Sequence, residues 1–356
     1  MSETRKIINN VFKSQVISQD LIKSAQLLLN EKDNNIIHEF LELGHLPSVN
    51  NEISKLNKVD EWLELIINLV KKSNYNIYTL LNQRAIRYKD KPLFQTISNN
   101  KISTLTYSKS WKIIQSIGSY LQSKLNDNDT IGLYSKNNLR NVLVDLACLA
   151  YNIRVVPIPM NLSSDHFEYV LNHAEISHLF FDATITEFSL DDIKKYRNDI
   201  FILDINNVEK WNEFVDKCNK VPLQEPLLHD LNELCSVIYT SGTTDNPKGI
   251  IFNQLNIISK RFARALALPD IGPEDSFLCY LPLYHTFGRW FEMMGAIFWG
   301  STYTFTETTS FKNLLKNLKL SKPSIFISIP KRWIQIYEQI DCLLYTSPSP
   351  RDATLS

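Results

Sequence analysis

Residues 236–250 read SVIYTSGTTDNPKGI, an apolar run followed by a loop rich in Ser, Thr and Gly and then by a lysine. The loop hydroxyls are short hydrogen-bond donors, the glycine lets backbone N–H groups approach a ligand closely, and the lysine adds a mobile cation. A polyphosphate requires this combination of many donors and one positive charge. The predicted phosphate-binding residues are Thr240, Ser241, Gly242, Thr243, Thr244 and Lys248.

The order of residues separates this loop from two other interpretations. A Walker A loop has Gly directly before its Lys and Ser or Thr directly after it, whereas Lys248 lies between Pro247 and Gly249. A stretch rich in Ser, Thr and Gly can also be a plain surface turn, in which Lys248 is only a solvated side chain. The continuous order from apolar strand to hydroxyl-rich loop to lysine favours phosphate binding.

Outward from the loop, short apolar runs alternate with amphipathic stretches between about residues 77 and 327. This alternation predicts an α/β fold of layered, largely parallel sheets with flanking helices. The predicted strands are 104–107, 129–134, 154–158, 178–182, 200–203, 237–239, 276–280, 302–305 and 325–327. The predicted helices are 111–125, 141–151, 165–174, 254–267, 290–299 and 311–320.

Residues 1–75 differ in character, because their apolar side chains recur at helical spacing throughout. The clearest example is the set Trp62, Leu65, Ile66, Leu69 and Val70. The pattern predicts an N-terminal helical extension that packs on the α/β layers. The alternative is a helix that binds a partner or a membrane, and the sequence leaves both open.

Composition excludes several classes of protein. Lys plus Arg balance Asp plus Glu at 38 each, so there is no basic excess of the kind that nucleic-acid binders show. The five cysteines are widely spaced without a CxxC pair, which argues against a disulfide framework and favours a reducing compartment. The sequence has neither a secretory signal nor a run of 18 apolar residues, so we expect a cytoplasmic protein that can associate peripherally with the cytosolic face of a membrane.

The last residues, 342–356, break the composition of the chain. They read CLLYTSPSPRDATLS and contain no Lys, Asn or Ile, although the preceding sequence is rich in all three. Cys342–Asp352 resembles the translation of a transposase-type sequencing adapter. We therefore expect 342–356 to be a disordered, adapter-derived segment and the native sequence to stop near Asp341. The alternative is a natural disordered terminus.

Tyr239–Gly249 resembles the signature of the adenylate-forming (AMP-binding) superfamily, which includes acyl-CoA synthetases, luciferases and peptide-synthetase adenylation domains. That signature reads Tyr-Thr-Ser-Gly-Thr-Thr-Gly-x-Pro-Lys-Gly, and the departure here is Asp245, where the family usually has Gly. Aspartate tolerates left-handed backbone angles better than most residues, so the turn can persist. Its negative charge beside a triphosphate is unfavourable unless it points away or meets magnesium.

Further segments resemble the long-chain acyl-CoA synthetase branch, in collinear order over about residues 77–340. They are 131–137 (IGLYSKN), 145–150 (DLACLA), 156–158 (VPI), 171–175 (LNHAE), 280–285 (YLPLYH) and 323–337. In relatives the histidine that matches His285 lies at the acyl-carboxylate pocket, so the resemblance implies His285 as an acyl-pocket residue. The alternative is a histidine of the core.

Arg289 and Glu292 lie three residues apart on a predicted helix, and we expect them to form a surface ion pair. The aromatic residues near them can line an acyl tunnel, but at helical spacing they are expected to belong to the core. The side chains expected to be structural are Trp290, Phe291, Phe298, Trp299, His173, His178 and the cysteines.

The resemblance implies a two-step ligase that uses ATP, Mg²⁺ and coenzyme A to convert a long-chain fatty acid into acyl-adenylate and then acyl-CoA. Residues 76–341 would form an incomplete large N-terminal domain of that fold. The family's later motifs for adenine, ribose and magnesium, and its C-terminal lysine, do not appear, so no catalytic residue is assigned. We expect a protein of this sequence not to form acyl-CoA.

Two alternatives stay open. The chain can belong to the adenylation part of a carboxylic acid reductase or peptide synthetase, in which a carrier-protein thiol accepts the acyl group. It can also be a non-catalytic remnant that binds a nucleotide or a lipid, with Asp245 as an early sign of decay.

Overall fold

A computed structural model describes residues 3–13, 18–185, 188, 190–197, 199–240, 246–306 and 310–346. The chain begins with helices only, and a 3₁₀ turn at Leu43–His45 joins the third to the fourth. These helices are α1 (Glu3–Phe12), α2 (Ser18–Leu28), α3 (Asn34–Glu42), α4 (Pro47–Lys55), α5 (Val59–Ser73) and α6 (Ile77–Arg87).

Strands and helices alternate through the rest of the described chain. The strands are β1 (Pro92–Ser98), β2 (Lys101–Thr106), β3 (Thr130–Tyr134), β4 (Arg154–Pro157), β5 (Ile176–Phe181), β6 (Phe201–Asp204), β7 (Leu234–Thr240), β8 (Lys248–Asn253), β9 (Ser276–Leu278) and β10 (Thr302–Thr306). The helices are α7 (Tyr107–Lys124), α8 (Leu139–Ala150), α9 (Ser164–His173), α10 (Leu190–Tyr196), α11 (Val208–Asn219), α12 (Gln254–Ala267), α13 (Met294–Trp299), α14 (Phe311–Ser321) and α15 (Pro330–Thr346). A π-helix at Phe287–Met293 runs directly into α13.

The strands form two sheets. The larger has the order β6-β5-β3-β4-β7-β8 and is parallel except for the antiparallel pair β7–β8. The smaller has the order β2-β1-β10-β9, in which only β1 and β2 are antiparallel. The layered α/β fold with largely parallel sheets is thus confirmed.

The central strand of the larger sheet shows why it forms. All five residues of β3 are buried, which is typical of a parallel strand covered by helices on both faces. The helix that follows, α8, is buried along most of its length and packs against α7 and β4. It begins where the Asn138 side chain accepts a hydrogen bond from the Asn141 backbone N–H at 2.9 Å, a standard N-cap.

The N-terminal helices pack on the α/β layers, as the first of the two alternatives for residues 1–75 expects. Their apolar side chains share one continuous hydrophobic core with both sheets. Helix α5 lies against α12, and Trp62 and Leu69 on its inner face are fully buried. Helix α12 directly follows the β7–β8 hairpin in the sequence, and this helical layer packs against it.

A buried polar cluster joins the same layer to α6. Glu42 at the end of α3 binds Arg87 through Oε2 and Nη2 at 3.1 Å. His45 contacts the Glu42 carbonyl and the Tyr88 hydroxyl through its two ring nitrogens. Burial, reinforced by the nearby Arg84 and Arg87, lowers the pKa of His45 well below its ordinary value. His45 is therefore neutral at physiological pH, and the cluster ties the helical layer to α6.

Some elements differ from the sequence-based predictions. The strand predicted at 325–327 is wrong, since Ile325 makes only an isolated bridge with Phe277. Strands β1 and β8 and helices α6, α10, α11 and α15 were not among the predicted elements. Helix α15 continues to Thr346, so the first residues of 342–356 are helical where disorder is predicted, and 347–356 lie outside the described residues.

Candidate functional site

The predicted phosphate-binding residues begin at Thr240, the last residue of β7, and end at Lys248, the first residue of β8, and these two strands pair as a hairpin. Strand β7 runs parallel to β4, with Ser236 opposite Val155, so the loop follows the carboxyl end of β7. In open α/β sheets, ligands bind outside the carboxyl ends of the parallel strands. Thr240 and Lys248 thus lie at the edge of the sheet where a ligand is expected.

The structure brings two of the predicted phosphate-binding residues together. Thr240 and Lys248 pair directly across the hairpin, and the Thr240 hydroxyl donates to the Lys248 carbonyl at 3.4 Å. Both side chains are exposed. The other predicted residues of the loop, Ser241, Gly242, Thr243 and Thr244, lie outside the described residues, as does Asp245.

Strand β7 is anchored on the side facing α9. The Tyr239 hydroxyl lies 2.7 Å from Nδ1 of His173, and the Tyr239 ring is almost fully buried. Burial raises the pKa of Tyr239 to about 12, so the hydroxyl stays protonated and neutral. His173 therefore has the structural role predicted for it, which is to fix the strand that carries the loop.

A buried arginine anchors β7 on its other side. Arg289, in the π-helix, donates from Nε to Oδ2 of Asp145 at 2.8 Å, and its Nη2 contacts the second carboxylate oxygen. Its Nη1 donates to the Ser236 hydroxyl at 2.7 Å, and that hydroxyl donates to the Val155 carbonyl at 2.6 Å. One guanidinium thus joins the π-helix, α8, β7 and β4. A bidentate arginine–carboxylate pair is among the strongest polar contacts in proteins.

The predicted surface ion pair between Arg289 and Glu292 is wrong. Both residues are fully buried, and they point to different partners. Arg289 binds Asp145, whereas Glu292 accepts a hydrogen bond from the Tyr303 hydroxyl of β10 at 2.6 Å. The helix predicted at 290–299 begins as a π-helix beneath the sheets instead of an exposed α-helix, which accounts for the error. π-Helical turns occur often at functional sites.

Glu292 has an unusual environment for a carboxylate. Burial raises its pKa to about 8, although hydrogen bonds from the Tyr303 hydroxyl and from the Tyr280 and Leu281 backbone act in the opposite direction. Its Oε1 has no hydrogen-bond partner, and the nearby Cys279 is a buried free thiol. The carboxyl group is therefore largely protonated at neutral pH.

His285 lies in the turn before the π-helix. Its imidazole is exposed, its centroid lies 4.5 Å from the Tyr284 ring, and partial desolvation lowers its pKa. The His285 carbonyl accepts the Arg289 backbone N–H at 3.0 Å. His285 and Ser236 are thus joined through a single residue, Arg289, so the geometry couples the predicted acyl-pocket residue to the strand of the phosphate loop.

The segment before His285 is held by a residue for which no role was predicted. Asn137, just beyond the carboxyl end of β3, donates through Nδ2 to the Leu281 carbonyl at 2.7 Å. Its Oδ1 accepts the Leu283 backbone N–H at 3.0 Å. Asn137 lies in one of the segments that resemble acyl-CoA synthetases, and its position after a buried strand is the signal that could have identified it.

Gly288→Ala is expected to destabilise the protein by about 2 kcal/mol, because overpacking a tight contact costs about 1–3 kcal/mol. A Cβ at Gly288 would clash with the Pro282 carbonyl oxygen, which is backbone and cannot rotate away. Urea unfolding of the variant measures the loss. Thr286→Ala, at an exposed position of the same segment, is the control and should stay within about 0.5 kcal/mol of the parent. Equal stability of the two variants would contradict the close approach.

The four described cysteines are buried free thiols. Cys148, Cys218, Cys235 and Cys279 are free and buried, and burial raises their pKa values, as expected for structural thiols. No group of three or more His, Cys, Asp or Glu that could hold a metal ion is found in the part of the chain that the structure describes. Within the same part, no helix is long and apolar enough to cross a membrane.

Known proteins resemble this chain in both sequence and fold. Fatty acyl-CoA synthetase A of Dictyostelium discoideum is 27% identical over 253 residues, which are 66% of this chain and 37% of that protein. Human long-chain-fatty-acid–CoA ligase 1 is 26% identical over 262 residues, covering 66% of this chain and 37% of the ligase. The chain therefore spans a little over a third of the length of these relatives.

Solved structures show the same fold at low sequence identity. The crystal structure of VinN has a TM-score of 0.66 at 17% identity, covering 77% of this chain and 66% of VinN. O-succinylbenzoate coenzyme A synthetase (MenE) from Bacillus subtilis, in complex with AMP, has a TM-score of 0.60 at 20% identity, covering 76% and 65%.

The family model of AMP-binding enzymes matches residues 81–352. This range includes both sheets, the β7–β8 hairpin with the predicted phosphate-binding residues, and Arg289 with its partners. Since the match extends over most of the sequence, the chain belongs to the family of AMP-binding enzymes and is similar to its long-chain acyl-CoA synthetases.

Proposed function

We propose that this chain is the phosphate-binding part of an ATP-dependent ligase that activates a long-chain fatty acid and transfers it to coenzyme A. The observation that carries the proposal is the β7–β8 hairpin, which places Thr240 and Lys248 side by side at the carboxyl edge of the larger sheet. The similarity to long-chain acyl-CoA synthetases supports the fatty acid as the substrate.

In the proposed reaction, a carboxylate oxygen of the fatty acid attacks the α-phosphorus of ATP, and the bond to the β-phosphate oxygen breaks. Acyl-adenylate and pyrophosphate result. The thiol of coenzyme A then loses its proton and attacks the acyl carbonyl carbon, which releases AMP. Chemistry of this type depends mainly on positioning and on neutralising charge, and the loop hydroxyls and Lys248 would do both for the β- and γ-phosphates.

The proposed reaction also uses Mg²⁺, which accompanies ATP, and coenzyme A, which accepts the acyl group. MenE has been solved in complex with ATP and magnesium ion, which supports the use of both in this family. The described residues offer no cluster of metal ligands, so we assign the ion no ligand and derive no step through it.

His285 is proposed to contact the acyl carboxylate. It is exposed, and its pKa is lowered by partial desolvation, so it is a neutral hydrogen-bonding group near pH 7. Its connection to β7 through Arg289 would keep the acyl group and the phosphates in a fixed relation. Because long-chain fatty acids partition into bilayers, a peripheral position at the cytosolic face of a membrane remains a prediction.

Lys248→Ala is expected to weaken the binding of ATP and of pyrophosphate at least about tenfold. A hydrogen bond to a charged group contributes about 1.5–3 kcal/mol, and each 1.4 kcal/mol corresponds to a factor of ten. Isothermal titration calorimetry of the full 356-residue chain measures both affinities.

Lys260→Ala is the matched control, because Lys260 is an exposed lysine on α12 away from the hairpin. We expect it to bind both ligands as the parent does. If the parent chain does not bind ATP, or if both lysine variants lose affinity equally, the proposed phosphate-binding role of the hairpin is wrong.

A further inference from the structure

A cleft of about 410 Å³ lies far from the phosphate loop, between α7, α11 and strand β6. Strand β6 is the edge of the larger sheet opposite to the β7–β8 hairpin, in the order β6-β5-β3-β4-β7-β8. Four inter-strand spacings, about 19 Å, separate β6 from β7. The cleft is therefore distinct from the candidate nucleotide site.

The floor of the cleft is apolar and aromatic. Phe180 and Phe214 are buried, and their ring centroids lie 5.4 Å apart in an edge-to-face arrangement. Phe201, at the start of β6, also lines the cleft and is 53% exposed. The exposed face of this ring provides apolar area within the cleft that a ligand could cover.

The rim of the cleft is positively charged. Lys124 at the end of α7 and Lys210 and Lys217 on α11 are exposed and line the opening. Glu213 is the acidic side chain among the lining residues, and burial lowers the pKa of His178, which also lines the cleft. The lining residues therefore carry more positive than negative charge, although the whole chain is electrically balanced.

We propose that this cleft binds one free long-chain fatty carboxylate as a second, non-catalytic site. The acyl chain would lie over Phe180, Phe201 and Phe214, and its carboxylate would pair with the lysines of the rim. Lysine side chains can lay their methylene stems along an apolar surface while the ammonium group remains in water beside an anion. The volume falls within the usual range for small-molecule sites, roughly 300–1,000 Å³.

The shape of the cleft favours a single free acid over a membrane surface. A surface that docks on a bilayer presents protruding apolar side chains in a convex patch, with lysines around them. Here Phe180 and Phe214 lie at the bottom of a concavity, and the lysines surround its opening. The proposal goes beyond the proposed function, since it requires neither ATP nor the phosphate loop.

The test is photolabelling of the full chain with a diazirine-bearing palmitate analogue, followed by mass-spectrometric mapping of the labelled peptides. We expect label on the peptides that contain Phe201 and Phe214. The double variant Lys210→Glu/Lys217→Glu should reduce this label about tenfold, and Phe201→Glu should reduce it comparably. Both changes lie at exposed positions, so folding is preserved, and circular dichroism with ATP titration checks this.

The control is Lys112→Glu/Lys220→Glu, which reverses two exposed lysines outside the cleft, one on α7 and one directly after α11. Label confined to residues 280–299, or label at Phe201 and Phe214 that the Lys210/Lys217 variant leaves unchanged, would overturn the proposal. Label at the cleft only in the presence of anionic vesicles would also overturn it in favour of membrane docking. Loss of ATP binding with labelling intact would count against the proposed function alone.

Discussion

Arg289→Met is expected to lower the free energy of unfolding by about 3–5 kcal/mol, the largest effect of any single substitution considered for this chain. The side chain is fully buried, and its guanidinium is the ion-pair partner of Asp145. Methionine fills much of the same volume but leaves the Asp145 carboxylate buried without a counterion. It also removes the donor to Ser236, whose hydroxyl fixes β7 against β4. Urea unfolding followed by circular dichroism measures the loss.

The double variant Asp145→Leu/Arg289→Met separates loss of packing from loss of charge pairing. Replacing a buried ion pair with apolar side chains is often neutral, so the double variant should be more stable than Arg289→Met alone. Arg264→Met is the exposed control, since its guanidinium lies 4.5 Å from the Phe291 ring and contributes only about 0.5–1 kcal/mol. If Arg289→Met costs no more than Arg264→Met, the buried network is not what holds β7.

The order of secondary structure was largely predictable from the sequence, because hydrophobic periodicity is a local property. The helix predicted at 254–267 is α12 with the same bounds, and the aromatic residues Trp290, Phe298 and Trp299 belong to the core as expected. Strand β8 was missed for a local reason as well. Its side chains are exposed or half-buried, so Lys248–Asn253 lacks the buried apolar pattern by which a strand is recognised.

The partners within the site could not be predicted, because they depend on contacts between distant parts of the chain. Arg289 and Asp145 are 144 residues apart, and Asn137 and Leu281 are likewise 144 residues apart. Spacing along a helix gave Glu292 as the nearest opposite charge to Arg289, and tertiary packing replaced it with Asp145. The resemblance identified the family correctly but carried no information about which side chains hold strand β7 in place.

The contacts of Arg289 with Asp145 and Ser236 also explain how the site can be both polar and rigid. Buried polar groups specify one arrangement when every member has a partner, and the three guanidinium nitrogens each have one. Glu292 is the contrasting case, since Oε2 is bonded to Tyr303 and Oε1 has no partner. The same π-helix therefore contains an arginine whose three guanidinium nitrogens each have a partner. It also contains a carboxyl group that burial favours in its neutral form.

Glu292 should make the stability of the protein fall as the pH rises from about 5 to 8. Burial raises its folded-state pKa to about 8 from an ordinary value of 4.5. Between these values the folded protein keeps a proton that the unfolded chain has released, so each pH unit costs roughly 1 kcal/mol and the interval costs about 3 kcal/mol. Glu292→Gln, which imitates the neutral acid, should match the parent near pH 5 and exceed its stability at pH 8 by about that amount.

The comparison between parent and Glu292→Gln isolates this one titration. His45, whose pKa burial lowers, is present in both proteins and cancels in the difference. Urea unfolding of both proteins at pH 5, 6, 7 and 8 gives the difference directly, with Glu209→Gln, at an exposed position on α11, as the control that should follow the parent. A difference that stays constant over this range would mean that Glu292 is ionised in the folded protein. The hydrogen bonds that Glu292 receives would then have to offset the cost of burying its charge, contrary to the raised pKa.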